Sequence, residues 1–174
     1  MKYYKYLDLN YKTTCEKLKL YALEKESEIN NFWNVLDTPS ILKIIPEIQY
    51  MFDPLNINIK NISLIKTINT SINNDIHRDY TICKVRINLP IMNCEESTTN
   101  FYKSTANPKK GFLTNGVPYY QIDLLDCELA DSMCLNKPAV LLVQEPHQVI
   151  ANKQFLPRIS CTIEFYENIE YLLN

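Results

Sequence analysis

Glycine is nearly absent from this 174-residue sequence and occurs only at positions 111 and 116. The tripeptide His77-Arg78-Asp79 matches the catalytic loop of protein kinases, but the chain has no glycine-rich loop and no Asp-Phe-Gly, and it is too short for a kinase. A kinase is therefore excluded.

A strong charge imbalance and long apolar runs are also missing. The formal net charge is −2 and the isoelectric point is about 5.7, so no general attraction to nucleic acid or anionic membranes is expected. No run reaches eighteen apolar residues, and the first residues lack the apolar core of a signal peptide. We expect a cytoplasmic protein without nucleic-acid or membrane partners.

The cysteines lack the Cys-x-x-Cys spacing of zinc and redox sites. We therefore predict reduced, mostly buried thiols. The six positions are Cys15, Cys83, Cys94, Cys127, Cys134 and Cys161. Asn, Ile, Lys and Tyr are abundant, which is typical of an AT-rich genome such as that of a phage or another virus, in which case the location is the host cytoplasm.

An apolar content of 46% in 174 residues predicts one domain. We expect a short strand or arm in residues 1–10, a helix capped by Thr13 that runs to about Lys25, and a second helix capped by Thr38. From Ile57 the apolar period changes to two, with a break at Asn61. The predicted organisation is a helical flank (1–55), a β core (56–166) and a tail (167–174).

His77 and Asp79 are spaced so that an extended chain places both on one face, where they can bind one ion. The only other histidine is His147. Two histidines and one carboxylate with open positions form the arrangement used by non-haem Fe(II) oxygenases.

The strand that follows this pair alternates, with Val85, Ile87 and Leu89 on one side and Arg86 and Asn88 on the other. An unbroken strand would put Arg86 and Asn88 opposite the metal ligands. A bulge or turn between Asp79 and Lys84 is needed to bring them together. The alternative is that Arg86 simply pairs with Glu164 or another acid across the sheet.

A second alternating strand is predicted from Arg158 to Phe165, in which Arg158 and Ser160 share a face. An arginine fork beside a hydroxyl group suits a carboxylate, because a guanidinium binds both carboxylate oxygens in a fixed plane. The strand therefore indicates an acidic ligand.

These residues resemble the Fe(II)- and 2-oxoglutarate-dependent dioxygenases, whose pattern is His-x-Asp, a distal His and then Arg-x-Ser. The segment Arg86-Ile87-Asn88 is most similar to the aspartyl/asparaginyl β-hydroxylase and proline hydroxylase branch, where the third residue is His. The resemblance spans residues 57–165 and implies a mainly β, double-stranded β-helix (jelly-roll, cupin-like) fold with N-terminal flanking helices.

The resemblance also implies roles for individual residues. His77, Asp79 and His147 would be the metal ligands and catalytic residues. The co-substrate 2-oxoglutarate would be held by the side chains of Arg158 and Ser160 at its C5 carboxylate and of Arg86 and Asn88 near its C1 end. O2 and a small-molecule or peptide substrate would complete the site. The carboxylate of Asp79 disfavours a halogenase, which needs a small residue there.

Residues 93–135 are rich in Ser, Thr, Asn and Tyr, and a segment of this length in a compact domain is often functional. We expect a substrate-facing loop with Tyr102, Tyr119, Tyr120 and Gln121 as contacts. The alternative is an ordinary surface hairpin.

Three functions are compatible with the sequence. The first is an Fe(II)- and 2-oxoglutarate-dependent oxygenase that hydroxylates an amino acid, a peptide side chain or another small molecule. The second is a non-catalytic jelly-roll structural or assembly protein, viral in origin, that retains the metal site. The third is a cupin-like metalloenzyme without 2-oxoglutarate, which Arg158 and Ser160 disfavour.

Overall fold

The computed structural model describes residues 1–68, 76–79, 83–112 and 118–174. The elements in chain order are β1 (Tyr4–Tyr6), α1 (Lys12–Glu24), β2 (Phe32–Val35), α2 (Thr38–Ile44), α3 (Glu47–Tyr50), β3 (Ile59–Thr67), β4 (Ile76–Asp79), β5 (Val85–Met92), β6 (Ser97–Lys103), β7 (Lys109–Phe112), β8 (Pro118–Ile122), β9 (Glu128–Cys134), β10 (Ala139–Leu142), β11 (His147–Ala151) and β12 (Arg158–Phe165). Short 3-10 helices span Asp53–Leu55, Leu124–Asp126, Lys153–Phe155 and Glu170–Leu173. Across these described ranges, no helix has the length and apolar character needed to span a membrane.

The strands form two six-stranded antiparallel sheets. Sheet I has the order β1-β10-β5-β12-β3-β2, and sheet II has the order β7-β8-β4-β11-β6-β9. Many neighbours in each sheet are distant in sequence, because the chain passes repeatedly from one sheet to the other. The architecture confirms the predicted mainly β jelly roll with N-terminal flanking helices.

The main apolar core lies between sheet I and the helices. Ile87, Leu89 and Ile163 are fully buried there, and each such side chain contributes roughly 1.5–3 kcal/mol. The predicted stripe of Cys15, Leu18 and Ala22 on α1 packs into the same core. The opposite faces of β5 and β12 are thereby left for the space between the sheets.

The predicted helix caps are wrong. Helix α1 begins at Lys12, so Thr13 lies inside it, and its N-cap Tyr11 makes no side-chain cap hydrogen bond. Helix α2 is preceded by Asp37, whereas Thr38 accepts a hydrogen bond from the Ile62 amide at 3.2 Å. The cysteine prediction holds in part: all six thiols are free, but Cys83 and Cys127 are half-buried and Cys134 is exposed.

Strand β3 runs through Asn61, so the predicted break is wrong, but the pairing register with β12 shifts beside it, where Glu164 lies opposite Asn61 and Phe165 opposite Ile59. The Asn61 side chain is instead held in the sheet by a hydrogen bond to Glu164 on the neighbouring strand, with 2.9 Å between Nδ2 and Oε2. Strand β2, in the segment for which helices were expected, pairs with β3 at the edge of sheet I.

The expected long loop at residues 93–135 is mostly four strands, β6 to β9. Their polar side chains were misleading because the outer face of sheet II carries a polar layer. Tyr102, for example, is buried on that face, where its hydroxyl donates to the Gln148 side chain at 2.7 Å. Gly116, Tyr80 and Ile82 lie outside the described residues.

One side of the sandwich is closed by β1. The hydroxyls of Tyr4 and Tyr6 donate to the carbonyl oxygens of Ser132 and Cys134 on β9, at 3.3 and 2.6 Å. The orders of the sheets then place β2 and the pair β7-β8 together on the opposite side. The cavity between the sheets extends to this side, where Trp33 on β2 and Tyr119 on β8 are among its lining residues.

Candidate metal and ligand site

The imidazoles of His77 and His147 meet because their strands are paired. His77 on β4 lies directly opposite His147 on β11, and the ring centroids are 4.4 Å apart. The Nε2 atom of each ring is 3.7 Å from Oδ1 of Asp79. The three ligand atoms all lie within 4.8 Å of one another, which is the clustering needed to hold one metal ion.

His147 presents a free lone pair to this cluster. Its Nδ1 is 2.9 Å from the carbonyl oxygen of Glu145, which can only accept a hydrogen bond, so Nδ1 carries the proton and Nε2 is left to bind a metal. Burial, followed by the neighbouring His77, lowers the pKa of His147 to about 4. The ring is thus neutral at pH 7.

The two oxygens of Asp79 have separate partners. While Oδ1 faces the imidazoles, Oδ2 accepts a hydrogen bond from Nη1 of Arg86 at 2.5 Å. The other end of the guanidinium, Nη2, is 2.5 Å from Oε1 of Glu164. The Arg86 guanidinium also lies 4.5 Å from the centre of the Trp33 ring, so it is fixed from three directions.

Glu164 is ionised at neutral pH because of this pairing. Burial would raise its pKa, but the charge of Arg86, hydrogen bonds from Asn61 and Arg86, and the charge of Lys60 outweigh burial and hold the pKa below its usual range. The charge of Arg86 is therefore balanced by two carboxylates. The Nε of Arg86 is buried without a partner among the described residues.

Arg158 has a different environment. It is 3% exposed, and its Nε and Nη1 donate to the hydroxyls of Ser97 and Ser160 at 2.8 and 3.2 Å. Within the described ranges, no carboxylate pairs with it. A buried guanidinium that touches only hydroxyl groups has an uncompensated charge, and burying such a charge is costly unless an anion binds beside it.

The seven residues predicted to hold the metal ion or 2-oxoglutarate all line one cavity of about 360 Å³ between the sheets. Arg86 and Asn88 reach it because β4 and β5 belong to different, facing sheets, which provides the change of parity that the sequence required. The backbone of Val143 connects the ends of these strands. Its carbonyl oxygen accepts a hydrogen bond from the Asp79 amide at 3.1 Å, and its own amide donates to the Lys84 carbonyl at 2.9 Å. Residues 80–82 lie outside the described part.

The cavity also contains residues that the sequence did not indicate. Phe32 and Trp33 on β2 form part of the wall. Ser97 is not a lining residue, but its hydroxyl accepts a hydrogen bond from Arg158. No sequence motif marks these three. Of the expected substrate contacts, Tyr119 lines the cavity, whereas Tyr102, Tyr120 and Gln121 are not among its lining residues.

Comparison with known proteins gives a structural likeness only. No protein-family model matches the sequence, and no curated protein matches it. Among solved structures, the chain is similar to the epimerase SnoN in its complex with Fe3+, alpha-ketoglutarate and nogalamycin RO. The TM-score is 0.54 at 12% identity, and the alignment covers 99% of this chain and 84% of that one. The likeness shows a shared fold. The narrower resemblance to the aspartyl/asparaginyl and proline hydroxylase branch remains a prediction.

Proposed function

We propose that this protein is an Fe(II)- and 2-oxoglutarate-dependent oxygenase that acts on a small molecule. His77, Asp79 and His147 would hold the metal ion, and Arg158 with Ser160 would bind the C5 carboxylate of 2-oxoglutarate. The donor set of two imidazoles and one carboxylate is the one that non-haem Fe(II) oxygenases use. The similar solved structure contains both iron and alpha-ketoglutarate, which supports the same pair here.

The observation that carries this proposal is the buried, uncompensated charge of Arg158 in the cavity that also contains the His-Asp-His cluster. In a metal-binding jelly roll without an acidic ligand, a guanidinium buried among hydroxyl groups would have no counter-charge. Arg86 adds a second open position, because its Nε is a buried donor without a partner among the described residues. Asn88 and the Nε of Arg86 would lie towards the C1 end of the co-substrate.

When bound, iron and 2-oxoglutarate supply the oxidation of a C–H bond by O2, and hydroxylation is its simplest outcome. The side chains of the protein orient the atoms that would bind the metal. Asp79 can offer the metal only Oδ1 because Arg86 occupies Oδ2, and His147 is held in the correct tautomer by the Glu145 carbonyl. The carboxylate at position 79 leaves no room for the halide ligand of a halogenase.

Anaerobic titration of the protein with Fe(II) and then 2-oxoglutarate tests the proposal. We expect the weak visible charge-transfer band of the iron chelate, with saturation. In Arg158→Gln, the loss of a charge-assisted contact with the carboxylate should weaken 2-oxoglutarate binding by about 2 to 3 kcal/mol, or about 30- to 160-fold.

Arg78→Gln is the matched control, because Arg78 lies on β4 beside the metal ligands but points away from the cavity, towards the Ser104 carbonyl. Its affinity for 2-oxoglutarate should equal that of the wild type. If folded wild-type protein binds iron but shows no band, the chain is a metal-binding jelly roll of another kind. An unchanged affinity in Arg158→Gln would remove the proposed role of Arg158.

A further inference from the structure

We propose that the cavity wall formed by Phe32, Trp33, Val35, Ile65 and Tyr119, called here the β2–β8 chamber, binds an uncharged, mainly apolar substrate. This inference rests on the proposed function. It narrows the substrate class, and it excludes free amino acids and charged side chains.

The position of the chamber points to substrate. Trp33 and Val35 lie on β2 and Tyr119 on β8, on the side of the sandwich opposite the seam closed by β1. A substrate held here would lie at the edge of the sheets, apart from 2-oxoglutarate beside Arg158 on β12, which is in the interior of sheet I. A cavity of about 360 Å³ is near the small end of ligand pockets, roughly 300–1,000 Å³. Since the co-substrate shares it, the substrate must be compact.

The charges of the cavity are already balanced without a substrate. Among the described residues, its charged side chains are Arg86, Arg158, Asp79 and Glu164. Arg86 is paired with both carboxylates. Two arginines, two carboxylates, a divalent metal and dianionic 2-oxoglutarate sum to zero.

A charged substrate would therefore enter without a counter-charge. An unpaired charge held against an apolar wall is disfavoured. A zwitterionic amino acid would need partners for both its ammonium and its carboxylate, whereas the charged groups of the described lining are already balanced in the loaded protein.

The backbone of the chamber wall has a strained conformation at Phe32. Phe32 has φ of 76°, a conformation that bulky residues rarely adopt and that is concentrated at functional sites. The side chain of Asn34 locks this turn: its Oδ1 accepts from the Asn30 amide, and its Nδ2 donates to the carbonyls of Asn30 and Phe32, all at 2.9 Å. The turn fixes where β2 places Phe32 and Trp33.

The test uses Trp33 as a built-in reporter, because it is the only tryptophan of the chain. Under anaerobic conditions, protein loaded with Fe(II) and 2-oxoglutarate is titrated with three probes of the same ring size: neutral cyclohexanecarboxamide, anionic cyclohexanecarboxylate and cationic cyclohexylmethylamine. We expect the neutral probe to change Trp33 emission with saturation, at an affinity at least 10-fold above that of either charged probe.

Glu164→Gln provides a second measurement. Removing one negative charge leaves the cavity with an excess positive charge, so the preference for the neutral over the anionic probe should fall by at least 10-fold. Glu170→Gln is the matched control, because Glu170 pairs with Lys84 outside the cavity. Its selectivity should be that of the wild type.

The visible band of the iron chelate separates the possible failures. If the band does not form, the proposed function fails. If the band forms and a charged probe binds as tightly as the neutral one, or the neutral probe causes no saturable change, the chamber inference is overturned and the proposed function stands.

Discussion

Replacing Arg86 by Met should strongly destabilise the metal-free protein. The Arg86 side chain is 7% exposed, and those of Asp79 and Glu164 are each 13% exposed. The variant would leave two carboxylates in the cavity without their counter-charge. Breaking a buried ion pair costs about 3–5 kcal/mol, and for a chain of this length the melting temperature should fall by about 6–20 °C.

The pH dependence gives the sharper signature. In the wild type the pKa of Glu164 is lowered, so its contribution to stability is present above the unfolded-state pKa of about 4.3 and is lost as the pH falls through the lower folded-state pKa. In Arg86→Met, burial dominates and the pKa of Glu164 should rise above the unfolded value. The folded variant then gains from protonation, so its stability deficit should shrink between pH 7 and about pH 5.

The assay is thermal and urea unfolding, followed by circular dichroism at pH 7 and pH 5 with a chelator present, since bound metal would offset the charge of Asp79. Lys84→Met is the matched control: its pair with Glu170 is 3.4 Å long and over 40% exposed on both sides, so it should cost at most about 1 kcal/mol. A cost of under 1 kcal/mol for Arg86→Met at pH 7, or a deficit that does not shrink at pH 5, would refute the reasoning.

Two further predictions concern the metal ligands and the thiols. In air, wild-type protein with Fe(II) and 2-oxoglutarate should form succinate slowly even without substrate, and His147→Ala or Asp79→Ala should abolish this turnover, as measured by mass spectrometry; wild-type rates in either variant would exclude the assigned ligands. Iodoacetamide at pH 8 should modify the exposed Cys134 first and spare Cys15 and Cys161, because burial raises the pKa of Cys15 to about 12 and also raises that of Cys161. Equal labelling of the three cysteines in folded protein would contradict the packing described here.

The sequence predicts elements best where one face of a strand is buried in the main core. Strand β12 runs from Arg158 to Phe165 as expected, with Ile159, Cys161 and Ile163 in the core. The alternation is clear because those residues face the helices and the other face lines the cavity. Strand β11 likewise begins at His147, as predicted.

Prediction fails where this contrast is weak. Strand β6 reads Ser-Thr-Thr-Asn-Phe-Tyr-Lys, with polar residues on both faces, because its outer face carries a hydrogen-bonded polar layer. Strand β2 has four residues and begins at Phe32, whose positive φ has no sequence signal in a phenylalanine. Strands β6 to β9 of sheet II and the β2 wall of the proposed substrate chamber could therefore not be predicted from the sequence.

The two cavity arginines show which part of a site the sequence can and cannot predict. Both were predicted to bind an anion, with an ion pair to Glu164 or another acid as the alternative for Arg86, and both line the cavity. Their surroundings differ: Arg86 meets two carboxylates from facing sheets, whereas Arg158 meets only hydroxyls. Asp79 and Arg86 are seven positions apart on strands of different sheets, so their contact depends on how the sheets face each other. A guanidinium whose charge is already balanced orients its neighbours, whereas a guanidinium without a counter-charge attracts an anion. A sequence motif therefore identifies the arginine, but the groups that surround the arginine in the fold determine its role.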